Sequence, residues 1–214
     1  MGSVPIHYSA MDVKNVVFDV GGVLLEWNPS ATVARLHPDP ATQARIRQQM
    51  FEHADWHEFD RGTLSYSDAI THFAKATGLS TDETRALIHA TRESLTPIGG
   101  TIRILEKLAA GGVHLYLLSN MPVSTFEYLR QHHAFFGHFE HLVISGAILL
   151  IKPEPAIYKH LVEATGIVPA ESVFIDDLLK NVVAARECGF EAIQFRDPAS
   201  CRDELRTYLP GIGL

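Results

Sequence analysis

The chain has few of the features that would fix a protein's class at once. Two cysteines, Cys188 and Cys201, occur in 214 residues. Neither falls in a CxxC or in a zinc-ligand spacing, which argues against a disulfide scaffold and against a cysteine-based metal site. Two reduced thiols in or near a core are expected. No apolar run approaches the roughly 20 residues of a membrane span. The opening stretch, MGSVPIHYSAMD, lacks the charged-then-apolar layout of a signal peptide. A cytoplasmic location is therefore the default expectation, and the first dozen residues read as a loose leader in which Met11 is an alternative start. Positive charge is scarce as well. Eighteen Lys and Arg face 25 Asp and Glu, for a net charge of −7, and no basic stripe is visible. Nucleic acid and anionic membrane are thus disfavoured as partners. A small phosphorylated metabolite stays compatible, because a bound metal can supply positive charge locally. Repeats, low-complexity tracts, a GxGxxG and a Walker loop are missing, so nucleotide-cofactor folds lose support. The twelve histidines form no HExxH, and the group at His132, His133, His138 and His141 reads as helix-end and loop surface.

What is present is an ordinary globular composition, 46% apolar and 20% charged, in a chain long enough to bury a core without staples. Its pattern is a set of short apolar runs ending in polar residues. NVVFDV (15–20), VHLYLLSN (113–120), SVFIDD (172–177), FEAIQF (190–195) and the weaker HLVIS (141–145) read as strands. The first three are nearly continuously apolar, as strands buried on both faces of a parallel sheet are. Helical periodicity with glycine stops covers 101–112, 155–166 and 180–189. Strand and helix alternate, which predicts a doubly wound α/β core. Residues 29–94 break the alternation with a helical stretch punctuated by Pro38, Pro40, Gly62 and Gly78. Inserted after the first strand, this stretch would lie over the carboxyl end of the sheet as a cap. The expected organisation is a core of residues 1–28 and 95–214 with a cap of residues 29–94. Within the cap, Trp56, Phe59 and Arg61 read as helix packing plus a surface arginine. Trp27 and Asn28 read as the hinge at its entrance.

Ligands of open α/β sheets bind beyond the carboxyl ends of the strands. Three predicted strands end there in Asp19, in Ser119 with Asn120, and in Asp176 with Asp177, and Lys152 opens a helix on the same side. Singly, each has a bland explanation, such as a helix cap, a solvated acidic pair or a Lys-Pro helix start. Jointly, they describe a chemistry. A carboxylate at Asp19 can attack phosphorus and form an aspartyl-phosphate. Attack of one anion on another needs charge neutralised, and Mg²⁺ held by Asp19 and Asp177, with Asp176 alongside, does this. Lys152 adds fixed positive charge, Ser119 and Asn120 offer donors to phosphoryl oxygens, and Gly22 allows close backbone approach.

The segments FDVGGVL (18–24), LLSN (117–120), KPEPAIY (152–158) and FIDDLLKN (174–181) resemble, in order and spacing, the four motifs of the haloacid dehalogenase-like hydrolase superfamily. The resemblance covers nearly all of the chain beyond residue 14. It implies a Rossmann-like three-layer core with a parallel sheet and an inserted small α-helical cap. It further implies Asp19 as nucleophile, Ser119 and Lys152 on phosphate, Asp177 on Mg²⁺ and Asn181 supporting the metal site. The phrase FDVGGVLLEWNP is similar to a branch that includes sugar-phosphate phosphatases. One departure stands out: where most phosphatases of the superfamily carry a second Asp two residues after the nucleophile, this chain has Gly21. Its carbonyl can still ligate Mg²⁺, but the proton-transfer role is unfilled. Two rivals follow, a metal-independent 2-haloacid dehalogenase and a weakly catalytic binder of phosphorylated ligands. The acidic pair at 176–177 speaks against the first, since it is unfavourable beside a carboxylate nucleophile without a cation. A monomer and a homodimer fit the sequence equally.

Overall fold

A computed structural model describes residues 13–214; the expected leader and Met11 lie outside the described residues. In chain order the elements are β1 (Asn15–Phe18), α1 (Pro29–Leu36), α2 (Pro40–Ile46), α3 (Ala54–Arg61), α4 (Tyr66–Thr77), α5 (Thr81–Glu93), α6 (Gly99–Ala110), β2 (His114–Ser119), α7 (Val123–His132), β3 (His141–Ile144), α8 (Ser145–Ile148), α9 (Pro155–Thr165), β4 (Ser172–Asp176), α10 (Leu179–Glu187), β5 (Glu191–Gln194) and α11 (Pro198–Tyr208). The five strands form one parallel sheet in the order β3-β2-β1-β4-β5. This is the α/β, Rossmann-like arrangement expected.

Side-chain alternation along each strand builds the layers. Val16, Phe18, Leu115, Leu117, Val173 and Ile175 join one core with Leu105, Leu129 and Leu205. Their neighbours Val17, Tyr116, Leu118 and Phe174 join the other, with Ile157, Leu161 and Val182. Both faces are thus covered, which explains why these strands read as continuous apolar runs. Cys201 is buried, Cys188 half-buried, and both are free thiols. Of the four histidines read as helix-end and loop surface, His132, His138 and His141 are exposed and His133 is half-buried.

Helices α1 to α5 form a third core of their own around Ile46, Met50, Trp56, Phe73 and Leu87. Their boundaries follow local chemistry. Asn28 caps α1 by accepting from the Ala31 N–H, with Pro29 in the first turn. Ser80 and Glu83 make a reciprocal capping box on α5. Gly62 and Gly78 end α3 and α4 in the left-handed conformation. Between α2 and α3 the chain takes a wider π-type turn, Arg47–Phe51. The two crossings between insert and sheet run side by side: the Glu26 N–H donates to Thr96 O at 2.8 Å and the Ile98 N–H to Leu24 O at 2.9 Å.

The insert is also fastened to the sheet at a second place. Gly62, at φ +89°, lies so close to Gly146 that a Cβ there would stand 2.5 Å from its carbonyl oxygen. The Ser145 hydroxyl donates to Asp60 O at 2.5 Å and accepts from the Met121 N–H at 2.9 Å. Arg61 grips Glu154 with two bonds of 2.8 and 2.5 Å. Arg61 was expected at the surface; it is instead mostly covered, because Glu154 before α9 supplies a fork-shaped partner for its guanidinium.

Candidate active site

Strand order brings the expected residues together. β1 lies between β2 and β4, so Asp19 just past β1, Ser119 at the end of β2 and Asp176 at the end of β4 share one edge of the sheet. The Asp19 N–H continues the pairing by donating to Ile175 O at 2.9 Å. All three residues are buried, as is Lys152 at 3% exposure.

Their hydrogen bonds divide the roles. Asp19 Oδ1 accepts from the Val20 N–H at 2.7 Å and the Ser119 hydroxyl at 2.7 Å, and Lys152 Nζ stands 2.9 Å away. Among the described residues no hydrogen bond engages Oδ2, which leaves it available for reaction. Lys152 also donates to Asp176 Oδ2 at 2.7 Å. Asp176 is saturated. Oδ1 accepts from the Leu178 N–H and Asn181 Nδ2, and Oδ2 accepts from Lys152 and the same Asn181 nitrogen. Burial alone would lower the Lys152 pKa; the Asp176 and Asp19 carboxylates more than reverse this and hold it above the ordinary lysine value. Burial pushes Asp19 up to about 7 against the pull of Lys152, with the Asp176 charge adding to the rise. Burial and then the Asp176 charge raise Asp177 as well.

Three expected roles take a different form. Asn120 was read as a donor to phosphate, yet its side chain is turned to the backbone of Lys152. Nδ2 donates to Lys152 O at 3.0 Å, and Oδ1 accepts from the Lys152 N–H at 2.9 Å. It positions the lysine loop. Asp176 was read alongside the metal ligands and does lie within 4.8 Å of Asp19 and Asp177, but each of its oxygens already carries two bonds, so it also holds Lys152. Gly22 was read as a close approach to substrate, yet its N–H donates to Leu25 O at 2.8 Å. The close approach is to Asp177, whose Oδ2 would lie 2.6 Å from a Cβ at Gly22, and the backbone there sits at φ +74°. Gly22→Ala is accordingly expected to destabilise the fold by about 1–2 kcal/mol, the strain of a left-handed non-glycine residue, and to displace Asp177. Thermal unfolding with and without Mg²⁺ checks this; an unshifted melting point in both conditions would contradict it.

The donor set fits a hard divalent cation. Asp19, Asp176 and Asp177 offer carboxylate oxygens within 4.8 Å of one another, and oxygen ligands of this kind suit Mg²⁺. With Asp176 committed to Lys152, Asp19 and Asp177 are the side chains best placed to hold the ion, and Gly21 lines the cavity beside them. Asn181 adds an independent sign. It is 1% exposed, and among the described residues its Oδ1 has no hydrogen-bond partner. Such a buried acceptor is unfavourable unless a donor such as metal-bound water reaches it.

Above this edge lies a cavity of about 350 Å³, walled by the insert through Phe51, Trp56, Phe59 and Asp60, by Trp27 at the hinge, and by Met121 and Leu95 of the core. Trp56 and Phe59 pack in the insert's core, as the sequence pattern suggested, and line this cavity as well. Sequence reasoning missed Asp60. Its only signal is an acid placed in FDRG, immediately before the arginine and helix-ending glycine that fasten the insert down. Burial and then the Asp19 carboxylate raise its carboxyl well above the ordinary range, against the pull of Lys152.

Comparison with known proteins agrees with this architecture. A profile of haloacid dehalogenase-like hydrolases matches residues 13–189. The sesquiterpene phosphatase astK of Aspergillus oryzae is 29% identical over 90% of this chain and 95% of its own length. The D-ribitol-5-phosphate phosphatase of Bacteroides thetaiotaomicron is 24% identical over 92% and 98%. A solved HAD family enzyme from Bacteroides thetaiotaomicron, in complex with magnesium and inorganic phosphate, superposes with a TM-score of 0.66 at 22% identity, covering 86% of this chain and 95% of that one. The chain belongs to the haloacid dehalogenase-like hydrolases.

Proposed function

We propose that this hydrolase is a Mg²⁺-dependent phosphatase that cleaves a small phosphomonoester through an aspartyl-phosphate on Asp19. The observation that carries the proposal is the charge balance at the sheet edge. Lys152 is the one buried cation among the described residues facing Asp19 and Asp176, and Asp177 stands beside them. A site this rich in carboxylates is unfavourable alone and becomes balanced with a divalent cation. Held there by Asp19 and Asp177, Mg²⁺ would neutralise the negative charge that accumulates between Asp19 and a substrate phosphate. Asp19 Oδ2 attacks phosphorus. Ser119 and Lys152, held on Oδ1, orient the carboxylate and place positive charge beside the phosphoryl oxygens. Asn120 and Asp176 keep Lys152 in position. The dehalogenase rival gives no use to Asp177. The helices from Pro29 to Glu93 act as the cap, closing the site from water.

Resemblance points to sugar phosphates; the cavity wall favours a phosphate ester with a bulky apolar body. Trp27, Phe51 and Trp56 form a contiguous aromatic group with centroid spacings of 6.4, 6.3 and 4.7 Å. Of the nearby charged groups, two already have contacts, although Arg92 Nε finds no hydrogen-bond partner among the described residues. Arg47 pairs with Glu52 at 3.0 Å, and Arg92 lies over the Tyr128 ring. The sesquiterpene phosphatase named above is a relative whose substrate class has this character. A phosphate-release screen over polyol and isoprenoid monophosphates, with and without Mg²⁺, tests the reading, with halide release from 2-haloacids scored in parallel. Mg²⁺-dependent release is expected, abolished by EDTA, with higher kcat/KM on the apolar esters. Asp177→Ala is expected to move activation to higher Mg²⁺ concentration. Full activity in excess EDTA, or halide release, would overturn the assignment.

A further inference from the structure

The position two residues after Asp19 is Gly21, so the site needs another group to move the proton. Packing does not forbid a side chain at 21: a Cβ there would meet nothing closer than Trp27 Cβ, at 3.7 Å. We infer that Asp60, carried in by the last turn of α3, is the general acid and base of the reaction. The inference rests on the phosphatase reading above.

Three observations place it there. Asp60 lines the same cavity as Asp19, Lys152 and Asp177, on the side of the insert facing the sheet edge. Its backbone is fixed to the core by the Ser145 hydroxyl bond to its carbonyl at 2.5 Å. The next two residues lock the same turn, Arg61 through Glu154 and Gly62 through its contact with Gly146. The anchor residue Ser145 in turn accepts from the N–H of Met121, two residues beyond Ser119. The turn is therefore held at the reacting edge, and its Asp60 side chain lines the cavity in which proton transfer takes place. Other acids of the cavity have work elsewhere: Asp177 belongs to the metal set, and Glu52 pairs with Arg47. His57 is exposed and shares its surroundings with Lys180. Its surroundings raise the Asp60 carboxyl above the ordinary range, by desolvation first and then by the Asp19 charge, in the direction of the protonated form the first step uses.

In that step the Asp19 carboxylate oxygen forms a bond to phosphorus as the bond from phosphorus to the ester oxygen breaks. The departing alkoxide takes the Asp60 proton and leaves as an alcohol. In the second step the Asp60 carboxylate takes a proton from water as that water's oxygen bonds to phosphorus. The bond from phosphorus to Asp19 breaks, inorganic phosphate leaves, and Asp60 is again protonated.

The test compares an alkyl monophosphate with para-nitrophenyl phosphate, whose leaving group needs no proton, using the Mg²⁺-loaded protein. Asp60→Asn is expected to lower kcat/KM on the alkyl ester by about 10²–10⁴-fold. On para-nitrophenyl phosphate it is expected to give a burst of nitrophenolate near one equivalent, followed by slow turnover with phosphate retained on the protein. Asp60→Glu, which keeps a carboxyl, should restore alkyl-ester activity to within about tenfold of wild type. Equal losses on both substrates, the absence of a burst, or the same signature from His57→Gln in place of Asp60→Asn would overturn the assignment. Failure of the wild-type protein to release phosphate from either ester would instead sink the phosphatase reading, and this assignment with it.

Discussion

Asp19→Asn is expected to lower phosphate release by on the order of 10⁵-fold or more, as loss of a covalent nucleophile does, while leaving the fold intact. The amide is isosteric with the carboxylate and keeps an oxygen for the Val20 N–H and the Ser119 hydroxyl, and Lys152 retains Asp176. The same variant carries a stability signature. In the folded protein burial raises the Asp19 pKa from 3.8 to about 7. The native state therefore binds this proton more tightly than the unfolded chain does. The contribution of Asp19 to stability is full below pH 3.8 and is lost as pH rises to about 7. In EDTA, melting curves of wild type and Asp19→Asn are expected to diverge across that window, with the variant gaining on wild type as pH increases. Added Mg²⁺ should favour wild type and reverse the order above neutral pH. Normal turnover by the variant would end the nucleophile assignment, and parallel melting curves would contradict the buried-charge account.

Lys152→Ala is expected to have the largest effect on stability. The lysine is the shared partner of two buried carboxylates, at 2.9 Å from Asp19 and 2.7 Å from Asp176. Removing one member of a buried charge set leaves the others unpaired, at a cost of about 3–5 kcal/mol. For a chain of this size the melting temperature should fall by roughly 6–20 °C. Activity should fall with it, by about 10²–10³-fold, through loss of fixed positive charge at the phosphoryl group. The partner dependence separates this from simple cavity formation. In a Lys152→Met background, Asp176→Asn should recover part of the lost stability, because it removes a stranded charge. A double variant no more stable than the single one would show that packing, not charge pairing, sets the loss.

The sheet and its reactive edge were legible because both faces of the strands are buried, so NVVF and SVFID read as continuous apolar runs ending in acids. Parallel pairing then makes neighbours of residues far apart in sequence, and Asp19, Ser119 and Asp176 meet for that reason alone. Helix α7 was not anticipated: VSTFEYLRQH buries only Leu129 fully, so no apolar face emerges from its spacing. Helix α11 was missed too, although Asp197 and Pro198 mark its start. Finer roles escaped for a different reason. Asn120, Asp176 and Gly22 are the expected residue types at the expected places, but what each contacts depends on which bonds its neighbours have already taken. Asp60 and Arg61 were out of reach because insert side chains acquire direction only once α3 is docked against Ser145, Gly146 and Glu154.

The paired crossings at Leu24–Glu26 and Thr96–Ile98 bear on how such a chain diversifies. To the sheet, the whole helical insert is a loop whose two ends are already tied together. Closure entropy grows only with the logarithm of loop length, so helices here can be lengthened, trimmed or exchanged with little penalty to the strands beneath. Exchanges in α1, α3, α5 or the turn at Arg47–Phe51, however, reshape the wall above Asp19. The tie thus separates two kinds of inheritance: a sheet edge that keeps the reaction constant, and a graftable roof in which new substrates can be tried.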